Sequence, residues 1–203
     1  KIVSKAEGRM VDLATMKPSP RAVELAAEVL KDPRLVELIL SESMRVVRSR
    51  PNVLIVEHKL GLIMANAGID QSNVAPQDGV ERALLLPKDP DASAEALRTR
   101  LGVSAVLIID SFGRPWRKGT TGVAIGAAGL PSFIDMRGQT DMFGRVLQVT
   151  MPAFADEIAA AASLVMGQAA EALPVVIVRG LSWSAPSTPA RDLIRASGED
   201  LFR

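Results

Sequence analysis

"DASAEALRTRLGVSAVLIID", residues 91 to 110, carries the decision about fold class. Its first part is rich in Ala, Leu, Glu and Arg, all good helix formers, and Gly102 supplies the left-handed stop that closes a short helix. Its second part, "SAVLIID", is an aliphatic run of strand length, which predicts a buried strand delivering Asp110 at its end. Upstream, "KPSPRAVELAAEVLKDPRLVELILSESMRVV" predicts two helices, the first capped by Ser19 with Pro20 at the first helical position, the second by Asp32 with Pro33. "NVLIVE" after them predicts a strand. Downstream, the segment from Ser111 to Gly144 is dense in glycine, which predicts turns, bulges or backbone approaching a ligand, and so an active-site wall. From Pro152 to Leu173 the pattern predicts an Ala-rich helix with Phe154, Ile158, Ala161, Ala162, Val165 and Ala169 on one face, followed by "PVVIVRG" as a strand. "SAPSTPARDLIRASGEDLFR" begins as a Ser/Pro linker and ends in a short helix. Periodicity gives mixed helix and strand, and the expected class is α+β.

Composition narrows the function classes. The 203 residues, 48% of them hydrophobic, suffice for an ordinary globular core, and no apolar run approaches the ~20 residues of a membrane helix. A formal net charge of +1 and 3% aromatic residues, with no Tyr, oppose a nucleic-acid interface. The absence of Cys removes disulfides, thiol nucleophiles and thiolate metal sites. The start, KIVSKAEGRM, is too charged for the apolar core of a secretion signal. Together these point to a cytoplasmic location.

Two carboxylates stand out. Asp70 in "GIDQSNV" and Asp110 each follow an apolar segment and precede small residues, so both are candidates to face one crevice. Should they meet, mutual repulsion calls for a proton or a cation between them, and Mg²⁺ or Mn²⁺ suits oxygen ligands. The competing reading is that Asp70 shapes a turn with Ser72 and Asn73, and that Asp110 caps an element. "DSFGRPWRKGTTG", residues 110 to 122, gathers Arg114, Arg117 and Lys118 around Trp116; it reads either as an anion-holding loop or as a solvated basic loop with Trp116 packed on the core. Its spacing is not that of a P-loop. Lys5 in "SKAEG" is a phosphate candidate or a solvated cation, and Gln168 and Glu171 are candidates for a polar site or for solvent. The single histidine, His58, excludes multi-histidine zinc sites and is expected to be structural.

Jointly, "KIVSKAEG", "GLIMANAGIDQSNV", "DSFGRPWRKGTTGVAIGAAG", "DMRGQTDMFGRVLQVT", "ADEIAAAASLVMGQ" and "PVVIVRG" resemble the coenzyme F420-0:L-glutamate ligase family, in order and across nearly the whole chain. The resemblance implies a GTP-dependent, amide-forming ligase. Such an enzyme joins L-glutamate to the lactyl-phosphate carboxylate of the deazaflavin coenzyme F420-0 through an acyl phosphate, and can add further γ-linked glutamates. It also implies Mg²⁺ or Mn²⁺, with K⁺ as a further cation, and an intertwined homodimer of the F420 gamma-glutamyl ligase-like fold. Carried over by residue, the metal carboxylates, also the catalytic pair, fall on Asp70 and Asp110, with Ser111 and Gln168 as further oxygen ligands. Guanine-nucleotide contacts fall on Lys1, Lys5, Asn73, Met166, Gly167, Gln168, Ala169, Ala170, Glu171, Ala172 and Leu173. The expected organisation is one ligase domain over residues 1 to 203, lacking the nucleotide-contacting segment that precedes "KIVSKAEG" in the family. Two alternatives stand beside it: the ligase portion of a bifunctional F420-processing enzyme, and a non-catalytic protein that binds nucleotide or F420.

Overall fold

A computed structural model of the chain describes residues 1–74 and 79–200. The chain divides into two compact units, Lys1–Lys88 and Asp89–Arg203. Both mix helices with open antiparallel sheets, as the alternation of patterns predicts.

In the first unit a short helix α1 (Ile2–Ala6) leads to strand β1 (Met10–Asp12) and then to helices α2 (Pro20–Val29) and α3 (Pro33–Ser41). Both helix starts are fixed locally. Ser19 Oγ accepts from Ala22 N–H at 3.2 Å, Asp32 Oδ1 accepts from Arg34 N–H at 2.7 Å, and each cap precedes a proline whose missing N–H costs nothing there. Strands β2 (Ser43–Arg50), β3 (Val53–His58) and β4 (Ile63–Ala65) form an antiparallel sheet in that order, and β5 (Arg82–Leu84) pairs with β1. Along β3 the side chains of Leu54, Val56 and His58 are buried while those between are half-exposed, the period-2 signature of a strand covered on one face. Leu54 and Val56 join Leu13, Val29, Val36 and Ile39 in the core, each contributing roughly 1.5–3 kcal/mol by its burial.

The second unit starts with α4 (Pro90–Leu101), capped by Asp89 and closed by Gly102 at φ 63°. Strands β6 (Val106–Arg114) and β7 (Arg117–Ala128) form a long hairpin, and α5 (Phe154–Met166) lies against it. This core is built of small residues: Ala124, Ala127, Ala155, Ala159 and Ala190, with Leu130. Small side chains let the helices come close to the strands. A Cβ on Gly122 would strike the Ala159 carbonyl of α5, and one on Gly126 would strike the Pro90 carbonyl of α4. Those two glycines therefore serve helix packing rather than a ligand. Asp91, in the first turn of α4, is buried and accepts from Ala127 N–H at 2.9 Å and Ala190 N–H at 2.7 Å, tying strand and C-terminal segment to the helix.

Four sequence expectations are corrected here. Asp110 lies within β6, opposite Val123, not at its end, because the ladder continues to Arg114. The Ala-rich helix stops at Met166: Gly167 adopts φ 70°, ψ −177°, a conformation essentially restricted to glycine, which turns the chain out of the helix. Ala155 and Ala159 are its buried positions, whereas Ala161 and Val165 are exposed and Ala169 lies beyond its end. "PVVIVRG" forms no strand, since no neighbouring strand among the described residues pairs with it, and Val175 and Ile177 are exposed. The expected C-terminal helix is reduced to short 3₁₀ turns at Ala190–Leu193 and Ser197–Glu199, its last three residues lying outside the described ones. Among the described residues no helix is long and apolar enough to cross a membrane.

Candidate functional site

In the first unit, the chain leaves β4 through Asn66, Ala67 and Gly68, all at positive φ (52°, 54° and 65°). Such a run is disfavoured for L-residues with a side chain, by about 1–2 kcal/mol each. It is held in place by burial of Ala67 and by Met64 and Leu86 packed where a Gly68 side chain would sit. The turn delivers Asp70 to a two-bond bridge with Leu84: Asp70 N–H donates at 3.0 Å, and Leu84 N–H donates back at 2.9 Å. With its backbone fixed by that bridge, the Asp70 carboxylate is oriented by side-chain partners. Oδ1 accepts from the N–H and the hydroxyl of Ser72, both at 2.7 Å, so the turn-forming reading of Asp70 is realised. Oδ2 faces the Lys1 ammonium at 2.7 Å, and Lys1 also donates to Ser72 Oγ at 2.9 Å.

Lys1 and Lys5 are one helical turn apart on the α1 segment and so share a face. Lys5 Nζ donates to the Asn73 carbonyl at 3.4 Å. The structure thus gathers four sequence-derived candidates, Lys1, Lys5, Asp70 and Asn73, and adds Ser72, which sequence reasoning placed only in the turn. Burial works to raise the Asp70 carboxyl, but the hydrogen bonds from Lys1 and Ser72 outweigh it and hold the group below the ordinary carboxylate value. An ionised oxygen already facing a cation is the outcome.

In the second unit, Ser111 Oγ donates to Gln168 Oε1 at 2.9 Å, joining β6 to the segment that follows α5. Asp110 and Ser111 are consecutive in a strand whose register runs unbroken from Asp110↔Val123 to Ser111↔Gly122, so their side chains leave opposite faces. Ser111 therefore groups with Gln168, and Asp110 presents its carboxylate on the other side. Only Met166 of the segment Met166 to Leu173 is helical; Gly167 onward is loop. There Glu171 folds back so that its Oε2 accepts from Ala169 N–H at 2.7 Å, and that bond, more than any other influence, holds its carboxyl pKa below the ordinary value.

Among the described residues, no group of three or more His, Cys, Asp or Glu side chains is placed to hold a metal ion. The available donors are instead carboxylate, hydroxyl and amide oxygens, a hard set that suits Mg²⁺ or Mn²⁺ and not zinc. Two further ionisable groups are wholly or partly buried. His58 is buried with Nδ1 accepting from Leu60 N–H at 2.9 Å, the structural role expected of it, and Nε2 has no hydrogen-bond partner. Asp156, in the first turn of α5, accepts from Ala124 N–H at 2.9 Å; its burial raises the carboxyl above the usual range, partly offset by that bond.

The chain matches the family model described as F420-0:Gamma-glutamyl ligase over residues 1–180. A coenzyme F420:L-glutamate ligase of Methanothermobacter thermautotrophicus is 47% identical over 209 residues, spanning 100% of this chain and 81% of the relative. One of Methanopyrus kandleri is likewise 47% identical, over 100% of this chain and 82% of its own length. That of Archaeoglobus fulgidus is 42% identical, over 100% and 81%. A match to the family model over most of the chain, with identities of this size along its full length, makes the chain a member of the F420-0:gamma-glutamyl ligase family.

Proposed function

We propose that the protein is a GTP-dependent ligase that adds L-glutamate to coenzyme F420-0, and further glutamates through γ-linkages, by way of an acyl phosphate. The names of its relatives support glutamate ligation to F420. The observation that carries the reading to this chain's residues is the convergence of Lys1, Ser72 and Asp70, with Lys5 at Asn73, from sequence positions far apart. That arrangement pairs cations able to hold phosphate oxygens with a carboxylate kept ionised.

In this reading Lys1, Lys5, Asn73 and the Met166–Leu173 segment bind the guanine nucleotide. Asp70 and Asp110 are the carboxylates proposed for Mg²⁺ or Mn²⁺; Ser111 and Gln168, on the other face of β6 from Asp110, are the oxygen donors proposed for a separate cation, divalent or K⁺. A divalent ion so held supplies charge neutralisation for phosphoryl transfer. The substrate carboxylate attacks the γ-phosphorus, GDP leaves, and the amine of glutamate displaces phosphate from the acyl carbon to form the amide. Lysines positioned on the phosphates lower the barrier by stabilising charge that grows in the transition state. The homodimer belongs to the same proposal and is supported by apolar residues left in solvent, among them Met142, Phe143, Val149, Leu164 and Ile177. We place the enzyme in the cytoplasm.

Replacing Asp70 or Asp110 with Asn keeps size and a hydrogen-bonding oxygen but removes the charge. Each variant is expected to lose glutamate incorporation by at least about a hundredfold while melting within a few degrees of the wild type. Product formation at the wild-type rate in either variant contradicts the assignment.

A further inference from the structure

Beyond Gly113 the β6–β7 hairpin leaves the cover of α4 and α5, and residues 113–120 are exposed on both strands. Arg114 and Arg117 are paired across the end, so the turn consists of Pro115 and Trp116 alone. Proline fixes a negative φ at the first turn position, and Trp116 at the second has φ 64°. This is the sign pattern of a type II turn, whose second position favours glycine or asparagine. Trp116 is 86% exposed, so packing does not explain a bulky residue held in that strained conformation. The sequence alternative that Trp116 packs on the core is thereby removed.

The charge around it is equally unaccounted for. Arg9, Arg34, Arg45, Arg98, Arg137 and Arg191 each have a carboxylate partner. Arg114, Arg117 and Lys118 have no carboxylate partner among the described residues; exposed Arg48, Arg50 and Arg100 share that lack, but only here do three such cations fall within five residues. An open indole beside Arg114 and Arg117, cross-strand partners on one face of the hairpin, with the flexible Lys118 next to them on the other face, fits a planar aromatic ring that carries phosphate and carboxylate groups.

We infer that the hairpin tip, Trp116 with Arg114, Arg117 and Lys118, is the recognition site for the coenzyme substrate: the indole stacks on its ring system and the cations hold its anionic side chain. This rests on the ligase reading above and adds to it the residues that select the deazaflavin. A guanine nucleotide shares the same general chemistry, aromatic ring plus phosphates, so the two ligands are tested separately.

The test is calorimetric titration of the full chain with F420-0 and, independently, with GTP, using wild type, Trp116→Gly, Trp116→Phe and the triple variant Arg114→Gln/Arg117→Gln/Lys118→Gln. Glycine suits the turn better than tryptophan, so Trp116→Gly is expected to melt no lower than wild type while its affinity for F420-0 falls about tenfold or more. Phenylalanine, which keeps an aromatic face, is expected to restore most of that affinity. The triple variant is expected to bind F420-0 more weakly and with a shallower dependence on salt. GTP affinity stays unchanged throughout. Unaltered F420-0 affinity in Trp116→Gly overturns the inference, as does a loss confined to GTP, a lowered melting temperature that marks Trp116 as a packing residue, or a change of oligomeric mass with F420-0 affinity retained. Failure of the wild type itself to bind F420-0 overturns the ligase reading together with this one, whereas the other results leave that reading standing.

Discussion

Asp70 shows how far a single residue can be read. Its neighbours Ser72 and Asn73 foretell an Asx turn, and that turn is present, because its partners lie within two positions in the chain. Its contact with Lys1 is not legible locally, since no pattern in "GIDQSNV" announces an ammonium from the other end of the unit; the motif resemblance names both residues but assigns one to a metal and the other to a nucleotide, not to each other. The role of Asp91 is not legible in the sequence. Its place in the first turn of α4 suggests an ordinary dipole partner, while its role in holding the amides of Ala127 and Ala190 depends on tertiary packing. His58 carries a prediction at this scale. Burial lowers its pKa below the ordinary 6.5, with Glu42 opposing the effect and Arg9 and Lys59 adding to it. Below pH 6.5 the unfolded chain takes up a proton that the folded chain resists, so stability is complete above that value and declines as pH falls. Denaturant melts of wild type and His58→Gln between pH 7.5 and about 5 are expected to show a steeper decline for the wild type; parallel curves would contradict the assignment.

Elements were legible where their determinants are local. Each of α2, α3 and α4 has a side-chain cap followed by proline, and all three form where those signals lie. The end of α5 is not legible, because "GQAAEAL" continues a helix-forming composition, yet the backbone angles of Gly167 override it. "PVVIVRG" departs from its pattern for the opposite reason: a strand exists only with a partner, and aliphatic composition does not supply one. Glycine density in the β6–β7 region was legible as close approach, but the approaching groups are helices. Gly126 tests this. Gly126→Ala drives a Cβ into the Pro90 carbonyl and is expected to destabilise by about 1–3 kcal/mol, whereas Gly113→Ala, with open space around it, is expected to stay within about 0.5 kcal/mol of wild type. Equal denaturation midpoints for the two variants would show that the packing at Gly126 does not set its identity.

At the scale of the whole molecule, balanced charge and the small-residue core of the second unit describe a packed scaffold but no chemistry. Function became legible in the joint order of six short motifs, and membership of the family follows from a match over residues 1–180. What this membership leaves to be measured is the reaction of this chain. Incubating the protein with F420-0, L-glutamate, GTP and Mn²⁺, and resolving coenzyme and nucleotide by mass, tests the central claim most directly. The account predicts F420 species heavier by one or more glutamyl units, with one GDP and one phosphate formed for each amide bond. GTP bound or hydrolysed while F420-0 keeps its mass would contradict it.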